Sequence, residues 1–238
     1  MAPRSLSAYR AKRNFSKTPE PAKIGKAGRD LFVVQHHWAT REHYDFRLEL
    51  DGVLLSWALT RGPSFDPADK RLAVRTEDHP LSYADFEGVI PAGNYGAGTV
   101  MVWDWGTWEP LVSKPRQALK EGVLKFRLLG KRMKGGWALI RMKGPEKREQ
   151  WLLVKERDEY AAKGVLLDKF AKSVLTGRTR RQIELPALEG KQRRTNGRRM
   201  RHGAKIPDPK DIRKAQPRAS SDHAPRSRRL SKAGSHKR

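Results

Sequence analysis

The sequence predicts a mainly β protein: a compact antiparallel β-barrel of about eight strands with few short helices, followed by a disordered basic C-terminal tail. Three observations predict it. Short runs of apolar, β-branched and aromatic residues recur along the chain, each the length of one strand. Turn-forming pairs separate them, among them Asp51-Gly52, Gly62-Pro63, Gly135-Gly136 and Gly144-Pro145. All seven Trp lie from Trp38 to Trp151 and the last aromatic is Phe170, so the material for a core ends well before the C-terminus.

The elements follow in order. Residues 1–28 are polar and contain Pro, and read as an arm with a short helix over 6–12 capped by Ser5. Residues 31–35 form a short apolar run. Residues 43–50 alternate: His43, Asp45, Arg47 and Glu49 point one way, and Tyr44, Phe46, Leu48 and Leu50 the other. Further strands are predicted over 53–60, 71–76, 99–108, 123–128, 137–142 and 151–155. Helices are predicted over 114–120 and 169–175. The domain reading is an arm over 1–28, a barrel over 29–180 and a tail over 181–238.

Composition narrows the function classes. The 238 residues carry 51 Lys+Arg against 26 Asp+Glu, a net charge of +25, which points to a polyanionic partner, nucleic acid first. The charge is uneven. Residues 190–238 hold 17 basic and 3 acidic residues, net +14, with no aromatic side chain. Such a stretch cannot bury enough apolar surface to offset ordering entropy. The absence of cysteine excludes disulfide frameworks, thiolate zinc fingers and cysteine nucleophiles. No apolar run approaches the roughly 18 residues of a membrane span, and the N-terminus lacks the apolar stretch of a secretory signal. The expectation is a monomer with no membrane contact.

The candidate chemistry lies in Gln35–Leu50, which holds His36, His37 and His43. In an extended strand His43 and Asp45 share a face about 6.6 Å apart. His37 joins them if residues 38–42 turn back. Two imidazoles and a carboxylate suit a first-row divalent metal with open positions. The alternative is a hydrogen-bonded polar strand face without metal. Arg47 continues the same face, and a guanidinium matches phosphate oxygens. Arg41, Arg61, Arg71 and Arg75 add positive charge. His79 precedes Pro80, which biases it to extended backbone, with Tyr83 four residues on. An imidazole there is a candidate proton donor or phosphate ligand, or a turn histidine bonded to Asp78 or Glu77.

Other motifs fail. Gly93–Gly98 is glycine-rich but has the wrong spacing for a dinucleotide fingerprint and reads as a loop between strands. No P-loop pattern exists. Glu49-Leu50-Asp51-Gly52 lacks the lysine nucleophile of nucleotidyl transferases. Trp103, Trp105 and Trp108 read as barrel core or rim rather than a base-stacking platform.

The blocks FVVQHHWATREHYDFRLELDGVLLSWAL (32–59), RGPSFDPADKRLAVRTEDHPLSYADFEGVIPAGNYGAGTVMVWDWGTWEP (61–110) and WLLVKERDEYA (151–161) resemble the 3′-phosphoesterase domain of bacterial DNA ligase D. The resemblance covers roughly residues 5–180. It implies a β-barrel enzyme, dependent on Mn²⁺ or another divalent first-row metal, that trims 3′ ends in non-homologous end joining. A diesterase step removes a 3′-terminal ribonucleoside and leaves a 3′-phosphate; a monoesterase step then leaves a 3′-hydroxyl. Carried over, the metal ligands fall on His37, His43 and Asp45. The phosphate-contacting pair falls on Arg47 and His79, and the active-site tyrosine on Tyr83. Further substrate-binding positions fall on Gln35, Arg41, Arg71, Glu77, Arg13 and Glu20. Two positions depart from the family: Asn14 stands where the arm often carries Asp, and Arg61 where a Lys precedes Gly-Pro-Ser. Polymerase and ligase modules are not in this sequence, so a stand-alone form is expected. The implied partners are DNA or RNA–DNA 3′ ends, with Ku and a separate ligase or polymerase, and the implied location is the bacterial cytoplasm, at the nucleoid.

Two other readings compete. A non-haem Fe(II) oxygenase would use His43, Asp45 and His79 as a facial triad and leave His37 idle. A non-catalytic nucleic-acid-binding protein would need none of these groups.

Overall fold

The computed structural model describes residues 6–26, 28, 30–144 and 149–192, with side chains as far as residue 186. Nine strands run in chain order: β1 Leu31–Trp38, β2 His43–Leu50, β3 Val53–Leu59, β4 Arg71–Arg75, β5 Gly88–Ile90, β6 Gly98–Pro110, β7 Val123–Gly130, β8 Lys134–Arg141 and β9 Gln150–Lys155. The order β1-β2-β3-β4-β9-β8-β7-β6 closes through a β1–β6 pairing into an eight-stranded antiparallel barrel, with β5 added along the first residues of β6. Closure removes free edges among these eight strands.

The alternation in the sequence sorts the two faces. Phe46 points inward and meets the rings of Phe32, Trp57 and Phe126 at 6.5, 6.2 and 5.9 Å. Trp103, Trp105 and Trp108 are buried, as expected of core residues. The opposite face of β1–β3 is polar yet also buried, because the N-terminal arm and the 3₁₀ turn Leu81–Tyr83 cover it. From the arm, Leu6 and Tyr9 join the core cluster.

Several elements differ from expectation. β1 runs on through Trp38, so His37 pairs directly with His43 across β1–β2 and the chain reverses over only four residues. β5 is additional to the expected strands; it is three residues long and carries no alternation. The helix expected over 169–175 is instead a 3₁₀ turn, Leu167–Phe170, followed by a bridge from Lys172 to Thr179. Helix α1 spans Ser7–Ala11, with Leu6 at its N-cap, and α2 spans Pro115–Glu121. Ser5, the expected cap, lies outside the described residues. A third helix, α3 (Arg180–Gln192), occupies the start of the segment assigned to the tail; Ile183 anchors it, buried beside β5 and β6. The rest of that tail lies outside the described residues.

Candidate metal and phosphate site

Strand parity assembles the first part of the site. Gln35 and His37 on β1 stand opposite Asp45 and His43 on β2, and Arg47 follows two residues later on the same face. His37 Nε2 lies 2.9 Å from the Gly96 carbonyl, and His43 Nδ1 lies 2.8 Å from the Arg41 carbonyl. A carbonyl only accepts, so each imidazole donates its proton there. That leaves His37 Nδ1 and His43 Nε2 as the ring nitrogens available to a ligand. These two atoms face the Asp45 carboxylate at 3.6 and 3.8 Å. Ligand atoms of all three residues lie within 4.8 Å of one another. Backbone carbonyls holding the far nitrogen are the usual support for metal-ligating histidine. Burial alone would raise the Asp45 pKa, but Arg47, His37 and His43 hold it well below the usual carboxylate range. A carboxylate and two oriented imidazole nitrogens fit a divalent cation.

A cationic cluster adjoins this set. Arg47 is 2% exposed. Its Nε donates to Gln35 Oε1 (2.8 Å), its Nη1 to Ser56 Oγ (2.8 Å), and its Nη2 lies 3.1 Å from Asp45 Oδ2. Gln35 is itself fixed by donating to the carbonyls of Tyr83 and Phe86. His79 arrives because the chain after β4 stays paired with β3: Thr76 N–H donates to Ser56 O, and His79 and Leu54 exchange backbone bonds. His79 Nδ1 sits 2.9 Å from the Glu77 carbonyl, and its Nε2 sits 3.1 Å from Arg13 Nη2. His79 Nδ1 also lies 2.9 Å from Arg47 Nη1, so the ring is held between two guanidiniums and the Glu77 carbonyl. Burial, then Arg47 and Arg13, push the His79 pKa well below its ordinary value, so the ring is neutral near pH 7.

The arm completes the wall. Arg13 bridges Glu20 and Glu77 with two contacts of 2.9 Å, and Lys12 Nζ reaches the other Glu77 oxygen at 2.9 Å. Tyr83 donates to Glu20 Oε1 (3.1 Å), and its ring packs edge-on against His79. Burial and then Glu20 raise the Tyr83 phenol well above its ordinary value, which keeps it a donor rather than a base. Asn14, the departure noted in the arm, is exposed and accepts bonds from Ser16 as a turn residue.

One cavity of about 450 Å³ gathers these groups; His37, His43, Asp45, Arg47, His79, Tyr83, Arg41, Glu77, Arg13 and Glu20 all line it. Gln35 stands behind Arg47 rather than in the lining. Arg71 is not brought in: it pairs with Asp69 at 2.9 Å, and on β4 the cavity is lined by Val74, one parity away. Sequence reasoning missed Tyr9, Ser56, Gly96 and Tyr95. Ser56 and Gly96 carry no signal of their own, whereas Tyr95 in a glycine-rich loop was a visible oddity.

A metal triad alone suits several metals and reactions. What is specific here is a buried guanidinium against the triad's carboxylate. The family model for the DNA ligase D 3′-phosphoesterase domain matches residues 35–141. The chain belongs to the DNA ligase D 3′-phosphoesterase domain family. Its relatives include the multifunctional non-homologous end joining protein LigD of Pseudomonas aeruginosa, 53% identical over 169 residues. The multifunctional non-homologous end joining DNA repair protein LigD of Mycobacterium tuberculosis is 41% identical over 191 residues. The matches take in 69% and 78% of this chain but only 20% and 24% of those proteins. Among the described residues, this DNA ligase D-type phosphoesterase domain has no helix long and apolar enough to cross a membrane.

Proposed function

We propose that this chain is a metal-dependent phosphoesterase that processes DNA 3′ ends in non-homologous end joining. The proposed activities are a 3′-ribonucleoside phosphodiesterase followed by a 3′-phosphomonoesterase, with Mn²⁺ held by His37, His43 and Asp45. The observation that carries the reading is the 3.1 Å contact between Arg47 and Asp45, which sets a phosphate-matching guanidinium against the metal-ligating carboxylate. A divalent ion bound there supplies Lewis acidity and lowers the pKa of a bound water.

The residues divide the remaining work. Arg47 turns its charge toward the phosphate and neutralises what develops on its oxygens. Neutral His79 offers a lone pair to a proton or, once protonated, a proton to the leaving oxygen. Arg13 and Arg47 flank the ring at Nε2 and Nδ1, so a substrate must displace one of these contacts or share it. Tyr83 and Glu20 hold the wall against which His79 packs. The proposed partners are DNA or RNA–DNA 3′ ends, with Ku and a ligase or polymerase, in the bacterial cytoplasm. The oxygenase reading loses support because His79 is engaged by Arg13 and Glu77 and lies outside the converging group. The deciding experiment is Mn²⁺-dependent cleavage of a labelled primer-template ending in one 3′-ribonucleotide. Sequential appearance of the 3′-phosphate and 3′-hydroxyl products supports the reading, and an intact primer contradicts it.

A further inference from the structure

We propose that Tyr95 stacks on the base of the nucleoside that carries the scissile 3′-phosphate; this rests on the phosphoesterase reading and deepens it. The loop from Pro91 to Ala97 joins β5 to β6 and has left-handed backbone at Gly93 (φ 84°) and Gly96 (φ 73°). Gly96 spends its carbonyl on His37, which ties the loop to the metal triad. Tyr95, one residue earlier, is 43% exposed. Of the large apolar side chains that are exposed among the described residues, it is the one that lines the catalytic cavity. It has no part in the core, and its ring meets the cations of the arm, with the Arg13 guanidinium 5.6 Å from its centroid.

Its surroundings suit a nucleotide. Lys12 Nζ lies 4.7 Å from the ring centroid and 3.4 Å from the Tyr95 hydroxyl, while also pairing with Glu77. Loop and arm therefore meet over the cavity. Arg47 and His79 are buried in the lining, at 2% and 4% exposed, whereas Tyr95 is exposed and so marks the open side of the cavity. A volume of about 450 Å³ exceeds what one phosphate fills. The strand bearing the phosphate must leave through the rim, which brings its last base to Tyr95. A tyrosine face accepts any base, so the contact adds affinity without sequence preference.

The test uses two 3′-phosphate primer ends, one with a normal last nucleotide and one with a tetrahydrofuran abasic analogue. The wild type is expected to favour the base-bearing end by about 5- to 150-fold in kcat/KM. Tyr95→Ala erases that preference and Tyr95→Trp retains it. In parallel, 2-aminopurine as the last base is quenched on binding the wild type, without added metal, and is not quenched by Tyr95→Ala. An undiminished preference in Tyr95→Ala, or quenching that survives it, overturns the proposal. A wild type that quenches 2-aminopurine but hydrolyses neither end overturns the phosphoesterase reading instead.

Discussion

Arg47 and Asp45, two residues apart on β2, are in contact through Nη2 and Oδ2 at 3.1 Å. The same guanidinium is bonded to Gln35 and Ser56, so all three of its nitrogens are fixed. Arg47→Lys keeps a charge but cannot reproduce this fork. It is expected to lower kcat about 100- to 1000-fold. Arg47→Ala also leaves the Asp45 carboxylate without its partner and is expected to destabilise the fold by about 3 kcal/mol. Phosphate release and urea titration check the two effects separately.

His79 touches the cationic cluster and not the triad, so His79→Ala is expected to retain Mn²⁺ affinity while losing catalysis by at least about 100-fold. Calorimetric titration of Mn²⁺ decides this. Loss of metal binding would move His79 among the ligands and restore the oxygenase reading.

Much of this site was legible because a strand has period two. Once 43–50 is extended, His43, Asp45 and Arg47 must share a face, and the register of β1 then brings His37 to His43. Arg71 shows the limit: it is basic and near in sequence, but parity on β4 turns it away. The arm was legible as an arm, yet its docking depends on Tyr9 and Leu6 finding a groove made by distant segments. The short β5 exists only through pairing with β6 and has no local pattern. Helix α3, anchored by Ile183, opens the segment that the domain reading gives to the tail, whereas the compositional argument for disorder covers only residues 190–238.

Stability is expected to fall in acid. His36 is stacked between Trp38 and Tyr44 at 3.8 and 4.0 Å, and burial lowers its pKa to about 4 despite the Glu42 contact. The unfolded chain takes up this proton below pH 6.5 while the folded chain does not until about pH 4. Stability is thus full above pH 6.5 and drops by about 3 kcal/mol as the pH falls to 4. His79 acts in the same direction. Urea midpoints across this range are expected to decline less steeply in His36→Phe, which keeps the stack and removes the titration.

The arm seals the site through Arg13, so removing residues 1–22 is expected to abolish phosphate release while the barrel stays folded. Circular dichroism and melting check the fold. Retained turnover would show that Arg13 and Glu20 contribute nothing.

Residues 190–238, with net +14 and no aromatics, can supply phosphate contacts without stacking. If about 5 charges neutralise phosphates, deleting the residues beyond 192 lowers the slope of log K against log salt by about 4 to 5 on duplex DNA. Turnover at saturating substrate is expected to stay unchanged. An unaltered slope would remove the tail from DNA binding.

The most direct test of the account is phosphate release from a 3′-phosphate primer end with and without Mn²⁺, in the wild type and in Asp45→Ala. The account predicts release only by the wild type and only with metal, with Asp45→Ala folded, unable to bind Mn²⁺ and inactive. Metal-independent release, or release by a folded Asp45→Ala, would contradict it.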